Sequence, residues 1–77
     1  MNEPLTLDEH RELAREMRRN VERLRTMCDL VVGVYGPQNS AGFSFLKAME
    51  ALDRLNQDLE TQATLDLDGH RVQGLYL

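Results

Sequence analysis

The sequence predicts an all-α protein built as an antiparallel hairpin of two helices. Apolar residues recur every three or four positions along two long segments, and a Gly-Pro pair separates the segments. The apolar stripe of the first segment is too wide for one neighbouring helix, which predicts that two hairpins pair as a homodimeric four-helix bundle. With 77 residues, the chain has room for one domain over positions 1–77.

Helix 1 is predicted over about residues 6–35. Thr6 and Glu9 match the capping box, in which each side chain accepts a hydrogen bond from the other residue's backbone N–H. Steps of three and four residues then continue without interruption through Leu7, His10, Ala14, Met17, Val21, Leu24, Cys28, Val31 and Tyr35.

The stripe of helix 1 becomes wider toward its C-terminal end. A parallel row adds Leu13, Asn20, Met27 and Val34. Leu30 and Val32 make the last turns apolar almost all round, so we expect them to be buried against more than one helix. Gly33, inside this helix, predicts the close approach of a neighbouring backbone.

The segment LVVGVYGPQNSAGFSF, residues 30–45, could also be a strand that leads into a phosphate-binding loop. Gly36 and Gly42 are one residue too far apart for that motif, and Phe43 stands where it requires lysine. We therefore interpret residues 36–40 as a corner between helices. Gly36 would adopt the left-handed conformation, Pro37 would stop the helix, and Asn39 or Ser40 would cap the next one.

Helix 2 is predicted over about residues 41–65, from the apolar positions Phe45, Ala48, Leu52, Leu55 and Leu59. Folding it back on helix 1 would place Cys28 opposite Leu52 and Val21 opposite Leu59. The apolar stripes of the two helices then face each other along the hairpin.

Residues 66–77 are predicted to form a short extended C-terminal tail. A β-hairpin about Asp68-Gly69 would pair Leu65 with Val72, but an isolated hairpin has little stability in water. We favour the alternative, in which helix 2 ends near Leu67 and Gly69 caps it. The apolar end of the chain, Leu75, Tyr76 and Leu77, is then expected to dock on the bundle or on a partner.

Composition excludes several classes of protein. The net charge of −4 and the pI near 5.0 argue against a dedicated nucleic-acid binder. No run reaches the roughly 18 apolar residues of a membrane span, and no secretory leader is recognisable at the N-terminus. Cys28, the single cysteine, excludes an internal disulfide and fits a reducing compartment, so we expect a cytoplasmic protein.

Few residues suggest chemistry. His10 and His70 could meet at one end of the hairpin, but metal sites need more ligands at set spacing, so we expect His10 to be a polar interruption near the exposed end of the stripe. Cys28 is expected to be a small buried hydrophobe, and Met17, Met27 and Met49 core residues. No cofactor or metal site, and no catalytic group, is predicted.

Arginines line one side of helix 1. Arg11, Arg18 and Arg25 share a heptad row, and acidic residues alternate with them. We expect pairs such as Arg18–Glu22 at i,i+4, or pairs with Glu50, Asp53 or Glu60 of helix 2.

The sequence therefore predicts a non-enzymatic helical interaction or oligomerisation module, with a second copy of the chain as its partner and an unidentified protein as a possible second one. The candidate oligomer interface comprises Met17, Val21, Leu24, Met27, Leu30, Val31, Val34, Tyr35, Phe45 and Leu52. The candidate partner-binding surface comprises Arg11, Arg18 and Arg25. The alternative function is that of a nucleic-acid accessory protein using these arginines.

Overall fold

The fold is an all-α hairpin of two helices in contact with each other, as the sequence predicted. A computed structural model describes residues 3–68 and 74–77. Helix α1 spans Leu7–Tyr35 and helix α2 spans Ser40–Asp66. Neither described range contains a strand.

The N-terminus of α1 carries the predicted capping box. The Thr6 N–H donates to Glu9 Oε1 at 2.9 Å, and the Glu9 N–H donates to Thr6 Oγ1 at 3.1 Å. Two of the N–H groups that a helix start leaves without partners are thereby satisfied. Thr6 is the cap itself, so the helix begins at Leu7.

The corner lies at residues 36–39, and Asn39 is the cap of α2. Its side-chain oxygen accepts from the N–H groups of Ala41 at 2.9 Å and Gly42 at 3.2 Å. Gly36 has a φ of +89°, which favours glycine, but its ψ of 161° is that of an extended residue and not of the predicted left-handed helix. Its N–H donates to Val32 O at 2.8 Å and closes α1.

Within the hairpin, the close backbone approach occurs at Gly42 and not at Gly33, where we expected it. A Cβ atom built on Gly42 would lie 2.3 Å from the carbonyl oxygen of Gly36, whereas one built on Gly33 would meet nothing within 4 Å. Gly33 is exposed, and α2 folds back over the corner at Gly42.

The core along the hairpin is small. The buried apolar residues are Ala14, Val21, Cys28, Ala63, Leu67 and Tyr76. Cys28 is 4% exposed, which confirms the prediction of a small buried hydrophobe. Met17 and Met49 are half-buried, but Met27 is 46% exposed, so Met27 is not a core residue of the single hairpin.

The prediction for His10 is also wrong. We expected it near an exposed end of the stripe, yet its side chain has 0% exposure. Its ring is covered because Tyr76 packs against it edge-on, with the ring centroids 5.8 Å apart and the planes at 86°.

Helix α2 ends one residue beyond the predicted boundary. The Leu67 N–H donates to Ala63 O at 3.0 Å. Leu65 and Asp66 are helical, so they do not begin a β-hairpin. The proposed cap Gly69 and the hairpin partner Val72 lie outside the described residues.

The hairpin is elongated and exposes more surface than a compact protein of its mass. Its extents are 47 × 23 × 19 Å and its Cα radius of gyration is 15.3 Å, against about 11.5 Å for a compact chain of this length. The accessible surface is 6058 Å², whereas a compact monomer of 8.9 kDa has about 4,800 Å². Much of each helix is therefore left uncovered by residues 3–68 and 74–77.

No helix in the described part of the chain is both long and apolar enough to cross a membrane.

Candidate functional site

Apolar side chains are exposed around the corner. We call this set the corner surface: Met27, Leu30, Val34, Tyr35 and Phe43. Their exposed fractions are 46%, 66%, 66%, 65% and 53%. Met27, Leu30 and Val34 are three and four residues apart, so they lie on one side of α1. A cluster of large apolar side chains of this kind is typical of an interaction site.

The structure separates the ten predicted interface residues into three groups. Val21 is buried inside the hairpin and cannot reach a second molecule from its present position. Five are half-buried: Met17, Leu24, Val31, Phe45 and Leu52. The exposed four are Met27, Leu30, Val34 and Tyr35. The exposed residues all lie in the last turns of α1, where the stripe is widest.

Arg11, Arg18 and Arg25 are exposed, on the opposite side of α1 from Met27 and Leu30. Within the described residues the ion pairs of α1 between arginines and acids are at i,i+3: Arg11–Asp8 at 4.0 Å, Arg15–Glu12 at 3.0 Å and Arg19–Glu16 at 3.5 Å. The predicted i,i+4 and interhelical pairs are not among them. Exposed pairs of this kind contribute about 0–1 kcal/mol each.

A buried polar cluster lies at the other end of the hairpin. It consists of His10, Asp66 and Tyr76. His10 Nδ1 is 2.7 Å from Tyr76 Oη, and His10 Nε2 is 3.0 Å from Asp66 Oδ2. A neutral imidazole satisfies all three groups when its proton is on Nε2, because Nε2–H then donates to Asp66 and Nδ1 accepts from the Tyr76 hydroxyl.

The surroundings shift two pKa values in opposite directions. Hydrogen bonds from Gln62 and then from His10 lower the pKa of Asp66, against the opposing effect of burial. Burial, together with the negative charges of Glu60 and Asp66, raises the pKa of Tyr76. Both shifts favour an ionised Asp66 and a neutral Tyr76, the forms that the hydrogen bonds to His10 require.

Glu60 and Arg18 hold the backbone of the last residues. Glu60 Oε1 accepts from the N–H of Tyr76 at 3.0 Å, and Glu60 Oε2 accepts from the N–H of Gly74. Arg18 Nη2 lies 3.5 Å from the carbonyl oxygen of Leu75. The predicted interhelical ion pair of Glu60 is thus replaced by hydrogen bonds to residues 74–76.

The polar cluster has the connectivity of a proton relay, since a histidine lies between a carboxylate and a hydroxyl. Catalysis would need a substrate within hydrogen-bond reach of the imidazole. His10 has no exposed surface and Tyr76 only 8%, so a substrate cannot reach either ring nitrogen in this arrangement. The cluster joins the end of the chain to both helices.

No group of three potential metal ligands lies close together in residues 3–68 and 74–77. The predicted partner of His10 in a shared metal site, His70, lies outside these ranges. The ring nitrogens of His10 are both engaged by protein groups.

Sequence reasoning did not identify Asp66 and Tyr76 as partners of His10, and it expected Glu60 to pair with an arginine and not with the backbone of residues 74 and 76. One signal was present: His10 interrupts an apolar stripe, and buried polar side chains are almost always hydrogen-bonded. That rule predicts that His10 has partners, but spacing along the chain does not say which residues they are.

Comparison with protein families, with curated proteins and with solved structures finds no match to this chain.

Proposed function

We propose that this protein is a non-enzymatic helical interaction module that self-associates through the corner surface. Two hairpins would form a homodimeric four-helix bundle in which residues 74–77 remain with their own chain as a short C-terminal tail. The observation that carries this proposal is the exposure of Met27, Leu30, Val34 and Tyr35 in a single region of α1. Covering these side chains removes apolar surface from water, which favours association.

A second copy of the chain has the right size for this surface. The hairpin exposes 6058 Å², roughly 1,200 Å² more than expected for a compact protein of its mass. A stable interface of standard size buries about 800 Å² on each partner. The excess is larger than this area, so the hairpin has enough uncovered surface to supply such an interface. The half-buried residues Leu24, Val31, Phe45 and Leu52 would border the contact.

The buried polar cluster supports a structural role rather than catalysis, because its histidine has no exposed surface. A single buried cysteine is in keeping with a reducing compartment, and we place the module in the cytoplasm on that ground.

A matched pair of substitutions tests the dimer. Leu30 and Leu65 are both leucines on helices and are equally exposed, at 66% and 68%, but only Leu30 belongs to the corner surface. Sedimentation equilibrium over a range of concentrations should give the mass of a dimer for the unmodified chain and for Leu65→Glu. Leu30→Glu should give the mass of a monomer, because a carboxylate would lose its hydration in the interface.

Circular dichroism of both variants serves as the folding control. A folded, unmodified chain that remains monomeric at all concentrations would refute the proposal. If Leu30→Glu and Leu65→Glu weakened the dimer equally, the corner surface would not be the interface.

The second candidate function is nucleic-acid binding by Arg11, Arg18 and Arg25, which are exposed on one side of α1. It has weaker support, because the net charge is −4 and acidic residues pair with the neighbouring arginines. Fluorescence anisotropy of labelled single-stranded and duplex DNA at low salt would test it. Binding that weakens steeply with salt and is lost in Arg18→Glu would support this function.

A further inference from the structure

The last residues of the chain contact the helices in the way a bound peptide contacts a groove. The N–H groups of Gly74 and Tyr76, two residues apart, both donate to the carboxylate of Glu60 on α2. From the other side, Arg18 of α1 approaches the intervening carbonyl of Leu75 at 3.5 Å. The backbone turns at Gly74, whose φ is +79°, and bends at Leu75, so that both N–H groups reach the same carboxylate.

The groove has a pocket for the Tyr76 side chain. Ala14, Ala63 and Leu67 form the buried cluster around it, and Leu7, Leu13 and Leu59 pack against that cluster. Alanine at two of these positions leaves room for an aromatic ring between the helices. At the bottom of the pocket His10, with 0% exposure, lies 2.7 Å from the hydroxyl.

These contacts are made by residues 74–76 themselves, so a separate peptide with the same groups could make them. We propose that the groove between α1 and α2 is a binding site for a short peptide segment carrying tyrosine, and that the chain's own C-terminus occupies it as an intramolecular ligand. A partner with such a segment would have to displace Tyr76. This site lies on the arginine side of α1, away from the corner surface, so it does not depend on the proposed dimer.

The chemistry of the pocket defines the ligand. Phenylalanine fills the same space but leaves His10 Nδ1 buried without its donor, so it should bind less tightly than tyrosine. Phosphotyrosine should be rejected, because its charge would lie beside the carboxylates of Asp66 and Glu60. The segment must also supply two backbone N–H groups to Glu60, which excludes proline at either of those positions.

The experiment uses the full chain with Tyr76→Ala, which leaves the pocket without its own side chain. The probe is the acetylated peptide Gly-Leu-Tyr-Leu, the sequence of residues 74–77, titrated into isotope-labelled protein and followed by amide chemical shifts. We expect saturable binding that shifts the resonances of His10, Glu60 and Ala63. Replacing tyrosine by phenylalanine in the peptide should weaken binding about tenfold, and the phosphotyrosine peptide should not bind.

The unmodified chain should bind the same peptide at least about tenfold more weakly, because its own tail competes at a high effective concentration. If Tyr76→Ala loses its helical circular dichroism, Tyr76→Phe takes its place, since that ring still fills the pocket but competes less well for His10. A folded variant that does not bind the tyrosine peptide, or binds all three peptides alike, would overturn the proposal. Repeating the titration with Leu30→Glu added separates this outcome from any failure of the dimer.

Discussion

His10 shows how a polar residue can occupy the most buried position of an amphipathic helix. An unpaired imidazole nitrogen in an apolar core would cost about 1–3 kcal/mol. Both nitrogens have partners here, Asp66 from α2 and Tyr76 from the end of the chain. Three separate parts of the chain must therefore be in place together, and the cluster couples the tail to the packing of the helices.

The two tyrosines provide a matched test of this coupling. Tyr76→Phe removes one hydroxyl and leaves His10 Nδ1 buried without its donor, so the free energy of unfolding should fall by about 1–3 kcal/mol. Tyr35→Phe removes the same atom from a side chain that is 65% exposed. This substitution should change the free energy of unfolding by less than about 0.5 kcal/mol. Urea unfolding followed by circular dichroism measures both. Equal losses would mean that the hydroxyl bonded to His10 contributes nothing particular.

Asp66 should make stability depend on acid pH. Because hydrogen bonds from Gln62 and His10 lower its pKa in the folded state, folding favours its ionised form. That contribution is complete above the unfolded pKa of about 3.9, and it is lost as the pH falls through the lower folded value. Urea unfolding between neutral pH and about pH 2 should show this loss.

Two substitutions are controls for the role of Asp66. Asp66→Asn cannot ionise, and its stability should fall less over the acid range. Gln62→Leu removes the larger of the two hydrogen-bond contributions and so brings the folded pKa of Asp66 closer to its unfolded value. The loss of stability should therefore be smaller than in the unmodified chain and should end at a higher pH. An identical acid profile for Asp66→Asn and the unmodified chain would exclude Asp66 as the titrating group.

At the scale of the elements, the hairpin turns back over a glycine in the first turn of α2. Gly42 is buried against the carbonyl of Gly36, so close that a side chain at position 42 would overlap the carbonyl oxygen. Asn39 fixes the direction of α2 by accepting hydrogen bonds from the N–H groups of Ala41 and Gly42. The corner thus depends on glycine at position 42 and on the helix cap Asn39, three positions earlier.

Two Gly→Ala substitutions should have opposite effects. Gly42→Ala would place a Cβ 2.3 Å from a backbone oxygen, so the corner must shift, at a cost of about 1–3 kcal/mol. Gly33→Ala meets nothing within 4 Å and replaces a poor helix former, so it should stabilise the protein by up to about 1 kcal/mol. Thermal and urea unfolding distinguish them. Destabilisation by both would mean that Gly33 is also close to a neighbouring backbone, as in a tight dimer.

For the whole molecule, the main physical problem is the small core. Among the described residues, six apolar ones are buried along a hairpin 47 Å long, and two of these are alanines. Tyr76, from the end of the chain, adds to the core at the end of the hairpin opposite the corner. At the corner end, Met27, Leu30 and Val34 have no comparable cover in the described residues. Association with a second chain is one of the ways in which chains of this size complete their cores.

Stability should therefore depend on protein concentration. If dimerisation is coupled to folding, the urea midpoint of the unmodified chain should rise as its concentration is raised, because association draws the equilibrium toward the folded state. The midpoint of Leu30→Glu should stay constant. If the urea midpoints of the unmodified chain and of Leu30→Glu were both independent of concentration, and the unmodified chain were well folded, the hairpin would be stable as a monomer.

Much of this fold could be predicted from the sequence because it depends on residues close together in the chain. The three-four spacing of apolar residues predicted both helices, the Thr6–Glu9 pair predicted the first cap, and Gly36-Pro37 predicted the corner. The interactions responsible span three or four residues. The boundaries of both helices agree with the structure to within one residue.

The polar cluster and the groove could not be predicted, because their residues meet only after folding. His10 is 56 residues from Asp66 and 66 residues from Tyr76 in the sequence. The spacing of apolar residues predicted that His10 lies on the buried stripe. Only the packing of α2 and of the last residues supplies the hydrogen-bond partners that offset the cost of burying a polar ring. In the same way, spacing alone cannot show that a backbone crosses at Gly42 and not at Gly33, because that depends on the path of the other helix.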